Sequence, residues 1–402
     1  MASFSDSPSE IIAEIISALQ DDIAALEACS QTCSLLLPLC RKYIFRSIRI
    51  TTRSYPQRSR PRIIRLFGIL LSNNPGISDL VRNFVFHMCS PDFEADDVPR
   101  VLGKLHHLQS FELVIGDPIT AVMWNALRQP LRDALLHLIQ LPSLSRLAIS
   151  DIHDFPTTVF FPCMNLADLS LNYITKPTMA VSHEEDISAS EAAPQLQSFA
   201  SSLDRGSYAM HLLNARRPNG VPVLDFSKVR MLSVEADREQ DLMAIQALIR
   251  ATQQLETLKY ATGMTQGYTA FASSINASSL SMLRTLHLQH EIKDDIQDPL
   301  CGICEEFSII SGCNVIEEIF LDVYVETDCR CKTGSEWGRF DAVLSRGFPK
   351  LRTVSLTIEI SAFIPLFSGA ALQEQVNEIP SKYFPWLSSN IQVTFNFSTS
   401  LH

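Results

Sequence analysis

At 402 residues the chain is long for one compact core and allows two or three domains, or one extended repeat array. Apolar residues make up 46% and charged residues 19%, which excludes wholesale disorder. A net charge of −11 argues against nucleic acid or an anionic membrane as the main ligand, because phosphate binding needs clustered Lys and Arg. Glycine is scarce, and the chain holds no GxGxxG, no Walker-type GxxxxGK and no GxSxG. The commonest nucleotide-binding and hydrolase designs are thereby removed. With no early Lys or Arg, no export signal and no run of ~18 apolar residues, the ten cysteines read as reduced thiols of a cytoplasmic and/or nuclear chain with no membrane partner.

The first stretch, SPSEIIAEIISALQDD from Ser7 to Asp22, opens as a helix start. Ser7 fits the N-cap, Pro8 the first helical position, and Glu10 falls three after Ser7 to complete a capping box. Ile11, Ile12, Ile15, Ile16 and Leu19 follow at helical spacing as one wide apolar stripe. Asp21-Asp22 suit a second helix N-terminus. That helix runs to about Cys33, with Leu26, Cys29 and Cys33 on one side. Leu35-Leu36-Leu37-Pro38 reads as a turn and Cys40 to Ser47 as a third, basic helix. Three helices in about 40 residues need outside help to stay folded. The stripe therefore seats either on another polypeptide or on the rest of this chain.

Ser7 to Ile50 resembles an F-box, and in particular those of large fungal F-box families. The likeness rests on Pro8, Glu10, Ile11 and Ile12, then Ala28-Cys29-Ser30, Leu37-Pro38, and the basic-aromatic run Arg41 to Phe45. Ser7 stands where the family usually has Leu, and Leu36 where it usually has Trp. The resemblance implies docking on the Skp-type adaptor of a cullin-RING (SCF-type) ubiquitin ligase. The residues it assigns to that docking are Pro8, Ile11, Ile12, Ile15, Ile16, Leu19, Leu26, Leu36 and Pro38.

Seven arginines fall between Arg46 and Arg65 among Ser, Pro and Gln, which reads as a solvated linker, with a nucleic-acid arm as the other reading. From Ile63 the run IIRLFGILL predicts a capping helix.

The rest of the chain repeats one phrase, apolar-x-x-apolar-x-apolar. It occurs at Val81/Phe84/Phe86, Leu108/Phe111/Leu113, Leu144/Leu147/Ile149, Leu166/Leu169/Leu171 and Val229/Leu232/Val234. It continues at Leu255/Leu258/Tyr260, Leu283/Leu286/Leu288, Ile316/Ile319/Leu321 and Leu351/Val354/Leu356, with a weak copy at Leu196/Phe199 that Ser201 interrupts, and a further trace at Ile391 and Val393. The mean period is about 30 residues, near that of leucine-rich repeats. Helical stretches intervene at Val122 to Gln140, Gln240 to Thr252, Pro299 to Ile310 and Trp337 to Leu344.

The expected fold is α/β: a short three-helix module (7–50), a linker with capping helix (51–74), and an irregular leucine-rich-repeat solenoid with a curved parallel sheet (75–402). A doubly wound α/β domain gives similar alternation and remains open. Bodies of fungal F-box proteins look alike in style, here in Phe348 to Leu356.

Strand alternation sends the last two apolar residues of each phrase to one face and their neighbours to the other. The outward positions that would meet a protein ligand include Asn83, His87, Glu112, Arg146, Asp168 and Asn172. They continue with Glu235, Lys259, His287, Glu318 and Asp322.

Other clusters read as structural. Cys301-x-x-Cys304 has metal-ligand spacing, but Cys329-x-Cys331 is an unusual second half. Cys304 also falls on an apolar helix face with Leu300, Ile303, Phe307 and Ile310. His106-His107 reads as a solvated turn, and His183-Glu184-Glu185-Asp186 as part of a loop insertion.

The resulting expectation is a non-catalytic substrate-recognition subunit of an SCF-type ubiquitin ligase, with an unknown protein target and no metal, cofactor or nucleic acid. A solenoid scaffold whose front helices never meet an adaptor is the alternative, and an enzyme on a doubly wound sheet a third reading.

Overall fold

The computed structural model describes residues 8–51, 60–116, 122–176, 192–202, 208–264, 267–292, 298, 300–326, 336–361, 374 and 377–401. The fold is α/β with parallel strands throughout the main pairing. It divides into two compact units, Met1–Leu166 with Pro177–Ala192, and Ala167–Lys176 with Ala193–His402.

The first unit opens with α1 (Ser9–Ala18), α2 (Ile23–Thr32) and α3 (Leu36–Ile44). Ser7 lies outside the described residues, and Pro8 itself occupies the N-cap without a side-chain hydrogen bond. Asp22 caps α2, its carboxylate accepting from the Ala25 amide at 2.9 Å. Two expectations are corrected. Leu36 to Pro38 is the first turn of α3 rather than a loop, because proline in a first turn gives up an amide that has no helical partner anyway. The third helix ends at Ile44, and Ser47–Ile50 leaves it as strand β1.

β1 pairs with β2 (Asn83–Met88), β2 with β3 (Ser110–Ile115), and β3 with β5 (Arg146–Ser150), all parallel. The Arg46 carbonyl anchors the start of this ladder, accepting from the amides of Arg82 and Asn83, both at 2.9 Å. Helices α4 (Arg60–Asn73), α5 (Ser90–Glu94), α6 (Asp97–Leu102) and α7 (Gln129–Ile139) connect the strands. The long helix expected from Val122 begins only at Gln129. Before it, β4 (Val122–Met123) pairs with β6 (Ile152–His153), and a 3-10 turn spans Trp124–Ala126.

The second unit carries β7 (Asp168–Asn172), β8 (Ser198–Ser202), β9 (Met231–Ala236), β10 (Thr257–Thr262) and β11 (Thr285–Ile292), followed by β12 (Glu318–Glu326), β13 (Thr353–Ser361) and β14 (Thr394–Leu401). Each is hydrogen-bonded in parallel to the next. Between them lie α8 (Tyr208–Asn214), α9 (Glu239–Ala251), α10 (Ala277–Leu280), α11 (Ile303–Ile310) and α12 (Glu336–Gly347), then α13 (Ile379–Tyr383) and α14 (Pro385–Ser389). Within each unit the strands are laid down in chain order, without the reversal that defines a doubly wound sheet.

The copies from Val81 to Leu351 each lead onto a strand and align in space as they do in the sequence, whereas the trace at Ile391 and Val393 precedes β14, Ile391 is fully exposed, and Phe395 and Phe397 take the paired positions instead. Leu169, Phe199, Leu232, Leu258, Leu286, Ile319, Val354 and Phe395 are successive partners across the second unit. The first residue of each phrase, from Val81 to Leu351, is buried just before its strand begins. Each such aliphatic side chain contributes about 1.5–3 kcal/mol by leaving water.

Buried carboxylates hold the connections. Glu306 accepts from the amides of Ala270 and Ala272, the latter at 2.7 Å, and Asp341 accepts from those of Trp386 and Leu387 at 2.9 and 3.0 Å. Ala270 needs such a clamp, since its φ of 57° is left-handed and unfavourable for a residue with a Cβ.

Candidate interaction surfaces

The three front helices build a core of their own. Ile12 and Ile16, at 0% and 1% exposure, pack with Leu26, Leu36 and Cys40, and Leu19, Cys29 and Tyr43 border the cluster. The expected single stripe is therefore split. Ile12, Ile16, Leu26 and Leu36 face inward, while Ile11 and Ile15 stand 48% and 44% exposed on the adjoining side of α1. Ile23 and Leu35 are exposed as well, Pro8 and Pro38 lie at the surface, and Leu19 is half-buried. Position 36, where Trp is usual in the resembled family, is a core position of this chain.

The outward strand positions divide between the two units. Asn83, His87, Glu112 and Arg146 belong to the first, where His87 Nε2 lies 3.8 Å from Glu112. In the second, Asn172, Glu235, Lys259, His287 and Asp322 line one pocket of about 430 Å³. Asp168 and Glu318 sit one row away toward the strand starts.

The pocket exists because adjacent strands present short side chains side by side. Ala200 pairs with Ser233, and Ser202 and Ala261 stand near them, so the face dips between Asn172 and Lys259. Ser202 donates its hydroxyl to Asn172 Oδ1 at 2.9 Å and fixes that wall. On the far wall the His287 ring stacks on Phe320, centroids 4.3 Å apart and planes at 12°. Burial, and then the Lys259 ammonium, push the His287 pKa down, so the ring is neutral at physiological pH. The Glu235 carboxyl is pushed up, first by burial and then by Asp237, Glu291 and Asp241. The short residues of β8 escaped sequence reasoning because its phrase is the weakest copy. Aligning that copy with its neighbours would have exposed them.

A charge ladder precedes these strands. Arg230, Glu256, Arg284, Glu317 and Arg352 occupy the position just before β9 to β13 and alternate in sign. Arg230 lies 3.8 Å from Glu256, and Glu317 bridges Arg284 at 2.8 Å and Arg352 at 3.2 Å.

The remaining clusters are structural where described. Cys304 is buried on α11, its thiol donating to the Glu336 carbonyl at 3.4 Å, and burial raises its pKa strongly. His106 packs edge-on against His137, and His107 lies 3.7 Å from Asp79. Cys329, Cys331 and the His183 to Asp186 run fall outside the described residues. Among the described residues no group of three His, Cys, Asp or Glu converges to hold a metal, and no helix is long and apolar enough to cross a membrane.

No family model matches this chain, and no curated protein matches it.

Proposed function

We propose that the chain is a non-catalytic substrate-recognition subunit of an SCF-type ubiquitin ligase. Residues 7–50 act as an F-box-like module that docks a Skp-type adaptor, and the repeat body acts as a leucine-rich-repeat-like solenoid that holds a target protein. The observation that carries this reading is the exposed Ile11 and Ile15 pair on a helix whose other apolar residues already complete a local core. Such a pair costs solubility unless a partner covers it. The regular outward face, with its mixed polar pocket, supplies the second half of a bridging protein. The work of such a subunit is proximity, which raises the effective concentration of target lysines near the conjugating enzyme.

The test is copurification with a Skp-type adaptor and cullin. Ile11→Asp with Ile15→Asp abolishes capture and leaves thermal unfolding unchanged. Ile12→Asp with Ile16→Asp is uninformative, since it empties the helical core. Absence of capture by the wild-type protein overturns the reading, and retention by the Ile11/Ile15 double variant overturns the assignment of docking to that pair.

One observation favours a scaffold that binds no adaptor. Ile12, Ile16, Leu26 and Leu36, four of the residues the resemblance assigns to docking, are sealed within the chain itself. On that reading wild-type protein captures no adaptor at all.

A further inference from the structure

The second unit ends on a strand that is completed on one side only. β14 pairs with β13 in unbroken register, from Thr394 opposite Thr353 to Leu401 opposite Ile360, and no described strand pairs with its other edge. On that edge the backbone groups between Thr394 and Ser398 have no strand partner among the described residues.

The inward row shows the same incompleteness. Ile319 and Leu321 on β12 and Val354 and Leu356 on β13 are fully buried, yet their successors Phe395 and Phe397 are only half-buried. Phe395 meets Phe384 edge-on with centroids 5.4 Å apart, and Phe397 inclines against Phe395 at 6.3 Å. In a stacked array each layer covers the apolar face of the one before it, so this end keeps apolar surface that a further layer would cover.

The strand also lacks the devices that protect a sheet edge. Its sequence, TFNFSTSL, holds no charged residue, no proline and no glycine, and its register has no bulge. β1, which opens the sheet of the first unit, is by contrast four residues long and carries Arg49. The absence of charge also selects the occupant. With a net charge of −11, two copies of the chain repel one another over most of their surface, and a neutral strand is where they can approach. Antiparallel pairing of β14 with itself, about a twofold axis normal to the sheet, sets the exposed Asn396 and Ser398 among neutral side chains and lays the half-buried phenylalanines of the two copies side by side.

We infer that β14 is the interface of a symmetric dimer, in which two copies of this chain join their sheets edge to edge. Twofold pairing uses up both edges, so the assembly stops at two. The inference is independent of the adaptor reading, whose residues lie in the first unit.

Sedimentation velocity of the full chain from about 1 to 200 µM tests it. Wild-type protein passes from monomer to dimer, and the dimer tightens as salt rises, because screening relieves the repulsion between two acidic chains. Asn396→Lys weakens the dimer by about tenfold, since the change occurs twice in a twofold interface and brings like charges together. Ser398→Lys, the next exposed position on the same face, does the same, whereas Asn396→Thr pairs as wild type. All three keep wild-type thermal unfolding. Each added lysine lowers the net negative charge, so a dimer held elsewhere tightens in the lysine variants, and that result overturns the inference. Species larger than two copies overturn it as well, since they mean head-to-tail growth. So does a wild-type chain that stays monomeric. A labelled peptide copying Thr394 to Leu401 then tells an edge that takes a foreign strand, and binds the peptide, from one closed within the chain, which does not.

Discussion

Glu306 illustrates how single side chains set the repeat connections. Its two oxygens hold the amides of Ala270 and Ala272, fixing a left-handed residue in a loop from the preceding repeat. Glu306→Ala leaves both donors without an acceptor and costs about 3 kcal/mol, measurable by urea unfolding. Glu306→Gln keeps one acceptor and costs less. Glu235 works in the opposite sense. Its folded pKa lies above the unfolded one, so its contribution to stability is greatest below the unfolded carboxylate range and is lost as pH rises through the folded value. Glu235→Gln therefore melts higher than wild type at pH 7.5, and the difference closes toward pH 4 in a calorimetric series.

At the scale of elements, the charge ladder is the clearest device outside the core. Glu317 is only 19% exposed and meets two arginines, so it is the best-buried member of the network. Glu317→Gln costs about 1 kcal/mol at low salt and less at high salt, read from paired thermal melts. Neither this ladder nor the pocket is legible from one stretch of sequence. Both depend on residues some 30 positions apart becoming neighbours. The strands themselves were legible, because the phrase places its three apolar residues at the spacing that alternation demands. β1 was not. Four residues are too few for a period to show, and the basic-aromatic run before it continues the helix pattern into Ser47. The front helices were legible as helices but not as a core. A stripe read on one helix cannot tell which of its sides meets α2 and α3, so Ile11 and Ile15 were grouped with Ile12 and Ile16.

For the molecule as a whole, β1 ties the segment after α3 to the sheet of the first unit. A boundary drawn after Ile50 takes the whole of β1 (Ser47–Ile50) away from the sheet and bares the edge of β2, whose alternating residues include Phe84 and Phe86. Unpaired strand edges of this kind recruit other chains. A truncated protein beginning at Thr51 aggregates, whereas one beginning at Arg46 does not. Size-exclusion chromatography of the two distinguishes them. The helical front is therefore best removed ahead of Arg46, whose carbonyl starts the ladder.

The alternation of Arg230, Glu256, Arg284, Glu317 and Arg352 also bears on how such a chain can lengthen or shorten over generations. Excising the single repeat that carries Glu256 abuts Arg230 with Arg284, and duplicating it sets two glutamates together. Removing or copying two consecutive repeats preserves the parity of signs. Changes in even steps are thus the ones that keep the ladder's alternation intact.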